Sequence, residues 1–397
     1  MKKRNIELDR LRAFAVIMTV VIHYARVFFP WNISPEYQQG TSILNIWKNS
    51  WTGVDLFFVI SGYIICKTIV QHIDQLQSSK IKLVQFIKSF YLRRIYRIYP
   101  VACVIFFFVL ICSFIFNQGG YFGTPENTIE AGISIFTYTF NYYFAYHSYH
   151  AFPLSPYWSL SVEEQFYLIL PLFLIMTNTA RQRVLLLLAI LLLITFYIRP
   201  YSQTDSIFLT QTRCDGLIYG CLVYFLTIQP WFSTIMSDWL INKYSRIWIT
   251  FFLILLLSSI TALGFSNSIV IPIACLLSAI LVSLAAFERN IIIAFPLIER
   301  SLDYLGTRSY SLYLVHFPMF SLTQEIMHRL SQANGFTVGV GFAWHYTILA
   351  FGLTAISTEL LYRFVELPFI EKGRNLSKIL GDKPIAKNEL VTTTQIS

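Results

Sequence analysis

The sequence predicts an all-α polytopic membrane protein of about ten transmembrane helices, with both termini in the cytoplasm. Three observations carry that expectation. Of the 397 residues, 55% are hydrophobic and only 13% are charged, against roughly a quarter charged in soluble domains. The mean hydropathy is +0.57. The apolar residues are also gathered into runs of about 20, the length that crosses a hydrocarbon core. The same figures exclude a water-soluble enzyme with a single core, a disordered chain, a collagen-like fibre and a coiled coil.

The basic start Met1-Lys-Lys-Arg4 leads into an apolar stretch, Leu11 to Phe29, with no small-residue cleavage site after it. This reads as a signal anchor retained as the first span. Further strong spans fall at 52–70, 99–116, 157–176, 184–199, 213–229, 247–265, 269–287, 309–327 and 342–364. A weaker stretch, 129–146, is rich in Tyr, Thr and Asn, and charge sorting decides its fate. If it does not cross, about 25 of the 30 Lys and Arg lie on the inner side; if it crosses, they divide evenly, against the positive-inside rule. Residues 117–156 are therefore expected as a long external segment with an aromatic-rich, re-entrant middle. No internal repeat of the kind many transporters carry is visible. Residues 1–370 form the membrane domain, and 371–397, polar and without an apolar period, are expected as a loose cytoplasmic tail.

The net charge of +9 follows from this sorting of Lys and Arg, so no nucleic-acid partner is expected. The six cysteines lie in or near apolar segments without a CxxC pair. They read as buried thiols, with neither a disulfide framework nor a metal site.

Ionisable groups inside a bilayer are costly unless paired or hydrated, which makes them candidates for function. In the first span Arg12 and His23 are separated by roughly 16 Å of helix. Arg12 then sits at the inner face and His23 well inside, where a neutral imidazole can act as a base. Glu163 and Glu164 open the fourth span and point about 100° apart, so one of them can face His23 and orient its ring as in a His–acid pair. The plain alternatives are a hydrogen-bonded core histidine and an inter-helix polar clamp. Asp55, Arg213 and Asp215 lie at outer span ends, where an Arg–Asp pair that satisfies itself is the simpler reading. Arg94 and Arg97, in the inner loop before the third span, share one helical face. Their guanidinium forks suit phosphates, and Tyr91, Tyr96 and Tyr99 are spaced to stack on a flat ring; an interfacial anchor is the alternative. His147 and His150, in the external Tyr-rich stretch, receive no role. Gly119-Gly-Tyr-Phe-Gly123 lacks the strand–helix context of a nucleotide motif.

Five segments occur in order: Leu8-Asp-Arg-Leu-Arg-Ala-Phe-Ala-Val16 with His23; Gly53-Val-Asp-Leu-Phe-Phe-Val-Ile-Ser-Gly-Tyr63; Arg94 with Arg97; Trp158-Ser-Leu-Ser-Val-Glu163; and Ser309-Tyr-Ser-Leu-Tyr-Leu-Val-His316. Together they resemble the acyltransferase-3 family of bacterial integral-membrane O-acyltransferases, over nearly the whole chain to about Pro368. The resemblance implies a ten-helix domain of the bacterial cytoplasmic membrane. It implies transfer of an acyl group, usually acetyl, from cytoplasmic acyl-CoA to a sugar hydroxyl of an envelope glycan. It assigns catalysis to His23, with supporting roles for Arg12, Arg94, Arg97 and Glu163, and its last motif includes His316. Arg10 departs from the family's frequent Gly and is expected only to add inner-face charge. Some members carry an extracytoplasmic hydrolase-like domain; this chain is expected to be a stand-alone member, with a separate partner or direct transfer to a lipid-linked glycan both open.

The expected function is thus a membrane O-acyltransferase with acyl-CoA as donor substrate and no permanently bound cofactor or metal. Arg94, Arg97 and Arg12 are expected to hold the donor's phosphates. His23 either deprotonates the acceptor hydroxyl or carries the acyl group, with Glu163 setting its tautomer. Glu164, Asp55, Arg213, Asp215 and His316 are possible supporting polar groups. The rivals are a transporter or flippase of a lipid-linked sugar, using the same groups without a covalent step, and a glycan-processing enzyme that needs no CoA. The residues leave the acceptor sugar, the acyl chain and the oligomeric state open.

Overall fold

The computed structural model describes residues 5–28, 50–76, 80–147, 152–202, 207–232, 234, 243–288, 292, 296–335 and 342–380. His150 and tail residues 381–397 lie outside the described residues. Every regular element among the described residues is helical. In chain order the α-helices of eight residues or more are α1 (Ile6–Phe28), α2 (Gly53–Leu76), α3 (Lys80–Ile115), α4 (Pro125–Phe136), α5 (Phe140–His147), α6 (Tyr157–Met176), α7 (Ala180–Leu193), α8 (Asp215–Thr227), α9 (Lys243–Ser259), α10 (Asn267–Ala286), α11 (Pro296–Asn334), α12 (Ala343–Leu361) and α13 (Leu367–Ile379). The Ile6 end of α1 is called the lower end of the bundle, and the Phe28 end the upper.

Among the described residues, eight helices are long and apolar enough to cross a membrane, which makes this a multi-pass membrane protein. They coincide with eight of the ten expected spans. The other two differ for physical reasons. The span expected at 213–229 is the 13-residue α8, about 20 Å long, preceded by a single turn, Thr210–Arg213. The span expected at 309–327 lies inside the 39-residue α11. That helix turns Ser309, Ser311, His316, Ser321, Thr323 and Glu325 into the protein, where all are buried, so its apolar character is diluted. The stretch 129–146 falls in α4 and α5, of 12 and 8 residues. At about 18 and 12 Å neither crosses a 30 Å core. Thr124 caps α4 by accepting from the Asn127 amide at 3.3 Å, and Pro125 supplies the first helical φ.

The centre of the bundle is α2, packed between α1, α8 and α10, with α11 packed along α1. Small residues allow the closest contact. A Cβ at Gly62 of α2 would lie 2.1 Å from the Leu217 carbonyl oxygen, and one at Gly220 of α8 would lie 2.3 Å from that of Val59. The two backbones touch, as in other small-residue membrane interfaces.

Three sequence expectations are corrected. Arg94 and Arg97 do not lie in a loop: α3 is one continuous helix of 36 residues that runs through Pro100, about 54 Å long. Arg10 is no loose inner-face charge. It is buried, and its guanidinium donates to Asp303 at 2.8 Å and to the Ile292 carbonyl at 3.1 Å, tying α1 to α11. The tail expected to be loose from 371 is helical to Ile379. Its contact with α3 uses small residues: Gly373 sits on Tyr96, and Ser89 donates to the Ser377 carbonyl at 3.4 Å. Hence no apolar period announced it. The six cysteines are unpaired, with Cys66, Cys112, Cys221 and Cys275 buried.

Candidate active site

Two histidines from opposite ends of the chain meet in the upper half. His23 Nδ1 lies 2.8 Å from His316 Nε2. The ring planes are 7° apart with centroids separated by 5.1 Å, which is edge-to-edge hydrogen bonding and not face-to-face stacking. Phe317 leans on His23 with centroids 4.4 Å apart and fixes its ring. His316 is fully buried, whereas His23 is partly exposed.

One turn below His316, Tyr313 closes off the pair from beneath. Its ring centroid is 5.9 Å from that of His316 and 5.7 Å from that of Phe57, edge to face. Its hydroxyl shares a 2.7 Å hydrogen bond with Ser159. Below this partition lies a passage of three adjoining cavities that share lining residues. An upper chamber of about 90 Å³ is bounded by Val54, Phe57, Phe58, Ser159, Tyr313 and Leu314. A waist of about 60 Å³ follows, with Ser61, Glu163, Tyr167 and Tyr310 beside Arg94 and Arg97. A mouth of about 460 Å³ then opens among Asn5, Arg12, Lys67, Gln71, Arg97 and Tyr362. Arg12, Arg97 and Tyr310 line all three parts. Along α2 the passage runs from Gln71 to Val54, about 26 Å.

The placement of the expected residues follows from this axis. Arg12 and Arg97 face the passage, Arg12 also holding Asp9 at 2.9 Å. Arg94 lines only the waist, with its guanidinium carbon 5.1 Å from the Tyr167 ring centroid. Glu163 does not orient His23. It accepts from Ser61 at 3.0 Å and from Tyr167 at 2.8 Å. The reason is height: Glu163 is one turn below Ser159, which bonds Tyr313, itself one turn below His316. Carboxylate and imidazole are therefore about 10 Å apart along the bundle axis. The partner predicted for His23 was an acid, and the partner found is His316. The stacking role expected of the α3 tyrosines is also corrected. Tyr91 and Tyr99 donate to the carbonyls of Leu168 and Phe136, both at 3.2 Å, and Tyr96 packs on α13.

Asp55, Arg213 and Asp215 form a separate buried cluster. The partners are not those adjacent in sequence: Arg213 meets Asp55 at 2.9 Å and Arg199 meets Asp215 at 2.6 Å. The Arg213 guanidinium is surrounded by Trp51, Phe58 and Trp158, 5.6 to 5.8 Å from each ring centroid. Glu164 is buried with Oε1 unpartnered and lies outside the passage. Sequence reasoning missed Lys67 and Arg199. Both carried the signal used for His23, an ionisable group within an apolar span. Ser61, Ser159, Tyr310 and Tyr313 stand inside the quoted motifs but had received no role.

A partly exposed imidazole thus stands above a cation-lined passage that opens at the other end. The chain belongs to the acyltransferase-3 family: residues 5–363 match its family model, described as an acyltransferase domain. It is similar to the peptidoglycan O-acetyltransferase OatA of Listeria monocytogenes, with 28% identity covering 92% of this chain and 56% of that protein. It is also similar to the O-acetyltransferase OatA of Staphylococcus aureus, with 27% identity covering 92% and 57%. The chain spans little more than half the length of these relatives. No solved structure matches it.

Proposed function

We propose that the chain is a membrane O-acyltransferase of the bacterial cytoplasmic membrane. It takes an acetyl group from cytoplasmic acyl-CoA and delivers it to a hydroxyl of an envelope glycan, with peptidoglycan suggested by the Listeria relative. The observation that carries this reading is the 26 Å passage from a cationic mouth to the floor beneath the His23–His316 pair. The lower end is cytoplasmic by charge sorting. There Arg12, Arg97 and Lys67 offer charge-assisted hydrogen bonds to the phosphates of the donor. Its thioester arm runs up past Ser61 and Tyr310, bringing the acyl group into the upper chamber. Rotation of Tyr313 away from Ser159 then opens the chamber towards His23.

His23 acts through Nε2, since Nδ1 is committed to His316. A base or a nucleophile needs a free lone pair at Nε2, so the Nδ1 proton points at His316 Nε2, which accepts it. In transfer the thioester C–S bond breaks and an ester C–O bond forms. The acceptor hydroxyl proton passes to Nε2 and from there to the departing sulfur, so that the donor leaves as the thiol. Direct attack by the hydroxyl and a passing acyl-imidazole both use this same nitrogen.

The test is to supply labelled acetyl-CoA to membranes containing wild type or His23→Ala and to follow ester label in the glycan. The expected loss with His23→Ala is at least about 10²-fold. Label at the wild-type rate in the variant overturns the role of His23. No label from wild type overturns the donor.

A further inference from the structure

We infer that Phe57 and Tyr313 measure the acyl chain, restricting the donor to acyl groups of at most about three carbons. This rests on the acyl-CoA reading and extends it by naming what selects the substrate. The upper chamber is about 90 Å³. An engineered cavity of about 150 Å³ holds benzene, with its six carbons. By that scale the chamber takes roughly four non-hydrogen atoms, and an acetyl group has three. The mouth below is about five times larger, so the limit is set at the top of the passage and not by entry.

The walls are suited to a fixed stop. Phe57 and Tyr313 meet edge to face at 5.7 Å, a favourable aromatic geometry. The Ser159 hydrogen bond holds Tyr313 in place. Behind Tyr313 the space is filled by His316 and Phe320, both fully buried. Leu314 and Phe58, also fully buried, close the sides. A longer chain meets packed rings before its carbonyl carbon reaches the level at which an acetyl carbonyl sits. Selection therefore occurs at loading, before Tyr313 moves.

The test uses membranes carrying the full chain as wild type, Phe57→Ala or Phe57→Leu, supplied with labelled acetyl-, butyryl- or octanoyl-CoA, and compares ester label in the glycan. Wild type is expected to prefer acetyl over octanoyl by at least about 100-fold. Phe57→Ala should narrow that preference at least about tenfold, and Phe57→Leu by less. If Phe57→Ala fails to accumulate, Leu314→Val, opening the side wall, provides the same comparison together with Phe57→Leu. Wild type using octanoyl-CoA as well as acetyl-CoA overturns the inference. So does a wild-type preference that persists in variants transferring acetyl normally. Absence of label from every acyl-CoA in wild type instead removes the donor reading, and this inference with it.

Discussion

His316 shows how one contact can decide a reactive group. Its Nε2 and His23 Nδ1 are 2.8 Å apart, and only one proton fits between two neutral rings. If His316 accepts that proton, His23 presents a bare Nε2. If it does not, His23 is a poor base. His316→Ala is therefore expected to lower kcat for acetyl transfer by roughly 10²-fold with little change in KM for acetyl-CoA. His316→Gln, whose amide oxygen can accept, should recover about tenfold of this. A purely structural histidine would show no such rescue, and an alanine variant with wild-type kcat ends the claim. Lys67 gives the opposite signature. Its ammonium lies in the mouth and rests 5.4 Å from the Tyr63 ring centroid, far below the reacting atoms. Lys67→Ala should raise KM for acetyl-CoA by about tenfold, the worth of one charge-assisted hydrogen bond, and leave kcat nearly intact. Unchanged KM reduces it to a snorkelling anchor. At this scale the sequence announced His23 and His316 individually, since buried ionisable groups stand out in an apolar chain. Their partnership was not legible. They are 293 residues apart, and no periodicity within one helix reports the height of a residue on another. The same gap assigned Glu163 to the wrong neighbour.

Among elements, the tightest junction is α2 against α8, where backbones touch at Gly62 and Gly220. Leucine at Gly62 would drive its Cβ to 2.1 Å from a backbone oxygen that cannot give way. Gly62→Leu is expected to cost at least about 3 kcal/mol, read as loss of the folded protein in detergent on heating. Gly352 of α12 has nothing within 4 Å of its would-be Cβ, so Gly352→Ala should hold or gain about 0.5–1 kcal/mol. Equal effects of the two would mean that α2 and α8 are not in backbone contact. The same junction carries the Asp55–Arg213 bridge. Arg213→Leu leaves Asp55 buried beside aromatic rings and should cost about 3–5 kcal/mol, whereas the double change Asp55→Leu with Arg213→Leu should recover most of that. No recovery would mean that Arg213 acts mainly through the rings around it. Element positions were largely readable from apolar run length, because a bilayer core sets that length. What escaped was the lower half of α3, interrupted by arginines, the ends of α11 beyond 309–327, and α13 with its Gly373 and Ser377 contacts.

For the whole molecule the decisive quantity is the parity of crossings before α6, because it sets whether the later helices that complete the mouth share a face with Arg12 and Lys67. Among the described residues of 117–156 the elements are α4, α5 and a single 3-10 turn, Phe152–Leu154, and a helix of 12 or 8 residues reaches at most about 18 Å. Positive φ at Gly120, Gly123 and Tyr138 turns the chain back on itself within this segment. Glu325 of α11 accepts from the backbone amides of Gln118 and Gly119 at 2.7 and 2.8 Å, clamping the start of the segment to the upper end of the bundle. Both ends of the segment are then on one face, and the Arg12–Lys67 mouth is on the other. A single cysteine at Gly120 and another at Tyr146, which is 74% exposed at the end of α5, each in a background with the six native cysteines replaced, should both react with a membrane-impermeant thiol reagent added outside intact cells. A cysteine at Glu371, near the lower end in α13, should react only after the cells are opened. Opposite outcomes for Gly120 and Tyr146 would require an extra crossing between them. Thr307, Ser309 and Tyr362, which line the mouth together with Arg12 and Lys67, would then lie on the opposite face from them, and the proposed route of the donor would fail on geometry alone.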